Sequence, residues 1–391
     1  MLKRNLIVVL ILLLATADPA GAIKYKGDLE SNESITFPEQ SAKPASPASG
    51  KHKLYFKDDG AAYSLDSSGN ENPVDVAGLK NYLINGNFRL WQRGTSFNVT
   101  QVYGPDRWKV GSGGTFTATR QAFTLGQTDV PGEPEFYIRN DTTVAGAATA
   151  TLLRQRIEGV RTLAGQTATW SFWAKAGATK TFQVLILQNF GTGGTPSTTV
   201  TVLNSSQAIT TLWVRYTFTV AMPSITGKTL GTNADDYIEV LIQETSGFST
   251  YILDIASVQV EKGSVATAFE RRPIGLNLAL AQRYFWKTYE PSDAPATATT
   301  NGAQEIRLGG LNSASHLVRK AFRFWVPMRT VPTITLYTDG GVSGNWRDLV
   351  AAADVSASAV RISETTVSVE STGAVATSVF LLGHIVADAE L

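Results

Sequence analysis

Cysteine is absent from the 391 residues, which removes disulfides, thiolate metal sites and a cysteine nucleophile together. Histidine is almost as scarce. His52, His316 and His384 stand singly, and none has a second nitrogen or a carboxylate at metal-ligand spacing. Each reads as a surface or core histidine. Charge is thin as well: Lys, Arg, Asp and Glu make up 17% of the chain and balance to a net +1. That leaves no electrostatic footprint for nucleic acid or an anionic membrane. The sequence holds no G-x-S-x-G, no H-E-x-x-H and no P-loop. The Gly-rich run "FGTGGTP" at 190–196 lacks the Lys-Ser/Thr ending and falls between strand patterns, as a turn does.

What is present is enough apolar residue, 43%, to build real cores in a chain long enough for two or three domains. The first 22 residues stand apart. Lys3 and Arg4 precede an apolar run from Leu6 to Leu14, and Ala20-Gly21-Ala22 fits a small-residue cleavage site. This is the layout of a secretory signal peptide; the alternative is an apolar segment that docks into a partner. Residues 23–80 read as a polar linker, ending in "SAKPASPASG", followed by a β-hairpin, "KLYFKDDGAAYSLDSSGNE". A lone hairpin is marginal in water, so this one must pack on something, other copies of itself included.

From 81 to 273 the pattern is all β. In "TATWSFWAKA" Thr169, Ser171 and Trp173 alternate with Trp170 and Phe172. In "TLWVRYTFTV" Trp213, Arg215 and Thr217 alternate with Leu212, Val214, Tyr216 and Phe218. Period-2 strands separated by Gly, Asn, Asp and Ser turns point to a sandwich or jelly roll. Residues 274–290 change period: Leu276, Leu280 and Tyr284 recur at four-residue intervals, one face of a short connector helix. Residues 291–391 return to β and suggest a second, smaller sandwich. The expected fold class is therefore all-β: hairpin region, central jelly-roll sandwich, connector helix, C-terminal sandwich.

Glycoside hydrolysis needs two carboxylates across a cleft. Glu239 and Glu244 are five residues apart, which places them on opposite faces of a strand and ~17 Å apart along it. They read as solvated. Trp91, Trp108, Trp170, Trp173 and Trp213 divide between core and ligand-facing positions. Trp170 and Trp173 point to opposite faces of one strand, and Trp213 shares the polar face of its own with Arg215. Arg93 and Arg107 flank the aromatic-rich opening. The candidate ligand-binding set is Trp173, Trp213, Arg93 and Arg215.

The stretch "NYLINGNFRLWQRGTSF", followed by "YGPDRW", resembles the opening of a sandwich domain of bacteriophage tail-fibre and related structural proteins. "TWSFWAKAG" resembles its central strand, shared with carbohydrate-binding-module jelly rolls. "VQVEKGSVATAFERRPIGLNLALAQRYFWK" is similar to its closing strand and exit helix. The hairpin stretch "PASGKHKLYFKDDGAAYSLDSSGNE" and the ending "FRFWVPMRTVPTIT…ADAEL" are similar to other parts of such fibres. The resemblance implies a non-enzymatic virion appendage, a homotrimer joined to other virion proteins through its N-terminal region, that binds host surface polysaccharide. It also implies a structural calcium, with Asp254 of "YILDIASVQ" as one ligand and Asn85 or Asn87 near the other. Two other settings remain open: a purely structural capsid or tail decoration, and an exported bacterial glycan-binding protein.

Overall fold

The computed structural model describes residues 39–57, 62–73, 79–245, 247–309, 317–372 and 378–391. The apolar segment 1–22, the Asp58-Asp59-Gly60 turn and His316 lie outside these residues.

Two six-stranded antiparallel sheets form the central unit. In the front sheet the strand order is Val214–Ala221, Thr167–Ala176, Tyr251–Lys262, Phe136–Val144, Thr115–Ala122 and Ser96–Phe97. The back sheet follows the order Val200–Ile209, Lys180–Asn189, Tyr237–Glu244, Ala150–Glu158, Lys109–Val110 and Val102–Tyr103. Period-2 alternation decides what each strand buries. Along Thr167–Ala176, Trp170, Phe172 and Ala174 enter the core between the sheets, where they meet Val184, Ile186 and Val240 of the back sheet. Thr169, Ser171 and Trp173 take the outer face. Along Val214–Ala221, Tyr216 and Val220 are buried. Leu212 and Val214, expected on the same face, are exposed because they lie at the strand's start, past the edge of the core.

The opening motif is coil, yet it is among the most buried parts of the chain. Asn85 turns the backbone at φ 58°, and its side chain holds the turn. Its Nδ2 donates to the carbonyls of Leu90 (2.8 Å) and Asp106 (3.2 Å), and its Oδ1 accepts from the Leu90 N–H (2.9 Å). A Cβ on Gly86 would stand 2.1 Å from the Val258 carbonyl oxygen, so only glycine fits against that strand. Trp91 and Trp108 plug the bottom of the sandwich core.

The hairpin belongs to a small four-stranded sheet, Glu39–Gln40, Lys53–Lys57, Ala62–Leu65 and Glu71–Pro73. Tyr55, Tyr63 and Leu65 form its buried face, and they pack on Val265 of the chain leaving the sandwich. Within the chain, then, the sandwich supplies the hairpin with a packing surface. Helix Ile274–Gln282 is where the connector was expected; of the four-spaced set Tyr284 is buried just past its end and Leu276 is exposed, and the helix itself buries Asn277, Ala281 and Gln282. The reason is polar. The Asn277 carboxamide oxygen accepts the Asn85 backbone N–H at 3.2 Å, which seats the polar side of the helix on the opening turn. Glu239 and Glu244 are also buried instead of solvated. Glu239 meets Arg156 at 2.9 Å and Arg154 at 3.5 Å, and Glu244 meets Lys180 at 2.8 Å.

The last unit links eight strands in one ladder that curls over a core of Trp286, Phe322, Trp346, Leu381 and Ile385. Its final strand, Ser378–Asp388, pairs with four others. Phe285–Lys287 already belongs to this sheet. His384 is buried here, stacked on Tyr289 with centroids 3.7 Å apart.

After Asp388 the chain turns into the seam with the sandwich. Glu390 lies between Arg107, which it pairs with closely, and Arg93 at 3.2 Å. Arg93 also meets Asp388 at 3.1 Å and Asp106 at 3.8 Å. Each guanidinium is stacked on a ring from the connector: Arg93 on Phe285 at 3.6 Å, Arg107 on Tyr284 at 3.5 Å. Burial works against these two cations, but the surrounding carboxylates outweigh it and hold both pKa values above the ordinary arginine value. Arg93 is therefore a seam residue and not part of a ligand set, because its charge and its flat face are both spent inside the protein. Beside it, Lys287 gives its ammonium to carbonyls of Gln92 (2.7 Å), Pro291 (3.3 Å) and Asp293.

Glu390→Ala leaves two buried guanidiniums short of a partner and should cost about 3–5 kcal/mol, read as a lower urea midpoint. A loss under about 1 kcal/mol would mean that the seam carries little of the stability. Burial pushes the Lys287 pKa down to about 8, so between pH 8 and 10.5 the unfolded chain binds more protons at this site than the folded one. Stability should therefore gain from this residue as pH rises through that window. Lys287→Met should remove that gain from the pH–stability curve, measured as the difference between the two proteins.

Candidate functional site

The outer face of the front sheet is where the chain leaves side chains free to meet a ligand. Backbone register sets the rows. Trp173 is paired with Arg215 on one side and Ala256 on the other. Two residues along, Lys175 and Arg139 both oppose Asp254.

After Lys262 the chain folds back across this face. The Glu261 carboxylate accepts the Thr267 N–H at 2.9 Å, and the Gln259 carboxamide accepts the Glu270 N–H at 2.8 Å. Arg215 reaches over to donate to Ser171 Oγ (3.0 Å), the Ala266 carbonyl (3.2 Å) and the Thr267 carbonyl. This returning segment, ending in Phe269-Glu270-Arg271-Arg272, forms one wall of a cleft of about 400 Å³. The loop carrying Pro131 to Glu135 forms the other, and the two walls touch where Arg271 donates to the Glu133 carbonyl. Trp173 and Ser257 lie on the sheet between them. Asn87 and Arg89, from the opening motif, close one end, with Arg89 meeting Glu135 at 3.2 Å.

Beside the cleft, Phe123, Tyr137 and Trp213 form an aromatic triad, with centroid separations of 4.8, 5.3 and 5.4 Å. Lys175 stands over the Trp213 ring at 5.2 Å and Arg139 over Tyr137 at 5.9 Å. The outer face thus offers one tryptophan inside a polar-walled cleft and a second in an aromatic cluster next to it. Both are partly exposed, whereas Trp91, Trp108 and Trp170 are each 3% exposed or less.

Of the residues singled out from the sequence, Trp173, Arg215 and Asn87 line the cleft. Trp213 belongs to the neighbouring triad, and Arg93 to the seam. Asp254 faces two cations. Arg139 binds it through two nitrogens at 2.8 and 2.9 Å, and Lys175 is 3.9 Å away. A calcium ion entering there would meet both positive charges, and the Asn85 side chain is already spent on its own turn. These residues do not fit the calcium site that the resemblance implied. Among the described residues, no group of three or more His, Asp or Glu gathers to hold a metal. Arg89, Phe269, Arg271 and Arg272 escaped sequence reasoning. For the last three the signal is the Phe-Glu-Arg-Arg run a few residues past the closing strand, which looks like any polar exit, and Arg89 sits in the opening motif with nothing local to mark it.

No protein-family model matches the chain, and no curated protein matches it. Among solved structures, the chain is similar to a CBM4 module (19% identity, 46% of this chain and 98% of that one, TM-score 0.30). It is also similar to the N-terminal cellulose-binding domain of Cellulomonas fimi β-1,4-glucanase C (22%, 45% and 97%, 0.28). A further likeness is to the enzymatically active domain of bacteriophage CBA120 tailspike protein 4 (15%, 47% and 21%, 0.29). Likenesses at this level leave the reading of the site to its own residues.

Trp170→Ala removes a core indole and should cost about 3–5 kcal/mol. Trp173→Ala, on the outer face, should cost under about 1 kcal/mol. Thermal unfolding of the two variants separates a structural tryptophan from one available to a ligand; equal losses would put Trp173 in the core.

Proposed function

We propose that this is a non-enzymatic carbohydrate-binding protein, and that the saccharide lies in the outer-face cleft of the front sheet against Trp173. The carrying observation is the indole itself: a rigid, partly exposed aromatic face on a flat sheet, between walls rich in backbone carbonyls and guanidinium groups. Such a face stacks on the apolar side of a sugar ring while the walls meet its hydroxyls, at little entropic cost to the protein. One carboxylate, Glu135, lines the cleft, where glycoside hydrolysis uses two; this supports binding over cleavage.

For the setting, the order of sequence motifs supports a virion appendage that attaches to host surface polysaccharide as a homotrimer. Exposed apolar residues on the last unit, Leu317 at 61%, Trp325 at 73% and Val331 at 55%, support self-association. Three sites presented together would strengthen weak single-site binding.

On an array of bacterial and plant polysaccharides the full chain should retain at least one glycan. Trp173→Ala should weaken that binding about tenfold or more with an unchanged far-UV circular dichroism spectrum. Binding that survives the substitution would move the site elsewhere. Light scattering should give the mass of three chains; a monomer would remove the multivalent part of the reading.

A further inference from the structure

The cleft carries a charge imbalance that the chain as a whole does not. The whole chain sums to +1, yet the ionisable groups lining the cleft are Arg89, Arg215, Arg271 and Arg272 against Glu135 alone. What those arginines bond to sharpens the point. Arg215 spends its donors on a hydroxyl and two carbonyls, and Arg271 donates to a carbonyl. Arg272 donates to the carbonyls of Leu83 (3.0 Å) and Asn81. It meets one carboxylate, Glu270, at 3.1 Å, and its own Nε is buried with no hydrogen-bond partner. Carbonyls orient a guanidinium without neutralising it.

Four arginines outside the cleft are balanced differently. Arg93, Arg107, Arg139 and Arg283 each face a carboxylate directly, and their pKa values are raised. Arg215 and Arg272 are lowered, with desolvation the main cause in both and the nearby Glu261 or Glu270 charge insufficient to offset it. Both under-compensated cations line the same cleft. A desolvated cation held in place by neutral acceptors is a preorganised receptor for an oxyanion, because the cost of ordering it is met before the ligand arrives.

We infer that the cleft selects an acidic saccharide, one whose rings carry a carboxylate, with the sugar face on Trp173 and the carboxylate among the arginines. The inference rests on the saccharide reading of the same cleft. It further requires that Glu135, the single carboxylate there, weaken the ligand it faces.

The test uses the full chain and paired probes: polygalacturonate, alginate and hyaluronan, each native and carboxyl-reduced, with a panel of neutral glucans and galactans. At low salt at least one native acidic polymer should bind about tenfold or more tightly than its reduced form. That advantage should shrink as sodium chloride approaches about 1 M, where the screening length falls to about 3 Å. Arg271→Gln should weaken the acidic polymer about three- to tenfold and the reduced form by distinctly less. Glu135→Gln, at an exposed position, should tighten the acidic polymer about two- to threefold; this gain cannot come from a damaged fold. Reduced or neutral polymers that bind as well as the acidic ones would overturn the acidic inference and leave the saccharide reading in place. Retention of no polymer, acidic or neutral, would overturn both. Inorganic sulfate that competes at the affinity of the polymer would show an oxyanion site with no saccharide selectivity, and would overturn the inference as stated.

Discussion

The shape of this protein depends on Glu390, a carboxylate one residue from the C-terminal Leu391, lodged between two arginines that belong to the opening of the sandwich. Neither arginine could remain buried alone. Arg107 is fully enclosed, and Arg93 nearly so; without a counter-charge each would cost several kcal/mol. The partner comes from almost 300 positions away in sequence, so the last unit must fold back against the base of the sandwich to deliver it. Glu158, which accepts from both Arg283 and Tyr284, repeats this logic on the adjacent strand. The connector helix, the rings of Tyr284 and Phe285, and the C-terminal carbonyls held by Arg329 are arranged around that join.

Fixing the base leaves the outer face of the front sheet as the place where the chain can vary. The opening motif links the two. Asn81 and Gly86 tie the turn to the closing strand, and the next residues, Asn87 and Arg89, emerge at the end of the cleft. The same closing strand then sends its continuation back across the face, stapled by Gln259, Glu261 and Arg215. One compact knot of hydrogen bonds thus sets the core plug, the join and one wall of the candidate site.

Arginine serves two purposes here, distinguished by its acceptors. At the join, guanidiniums meet carboxylates and stabilise a contact. In the cleft, Arg215 and Arg271 donate to neutral oxygens, and Arg272 meets two carbonyls beside a single carboxylate. A protein with so little charge overall makes this division visible, because few other ionic groups blur it.

The sequence by itself determined which side chains within a strand share a face. Alternation placed Trp170 and Phe172 on one face of their strand and Trp173 on the other, and set Trp213 with Arg215, because successive side chains of a strand must diverge; the packing of the second sheet decided which face is inner. The sequence also determined the all-β class and the place of the connector helix. Tertiary structure alone decided which charges meet. Arg93 read as a ligand residue because Glu390 lies far along the chain; Glu239 read as solvated because Arg154 and Arg156 are on another strand; Asp254 read as a metal ligand because Arg139 and Lys175 approach it from two different strands. The helix buries Asn277 in place of Leu276 because its partner, the Asn85 turn, is nearly 200 positions upstream. A cleft assembled from the returning segment, a loop and one tryptophan has no local period to reveal it, since ionic and hydrogen-bond partners act through space and not along the chain.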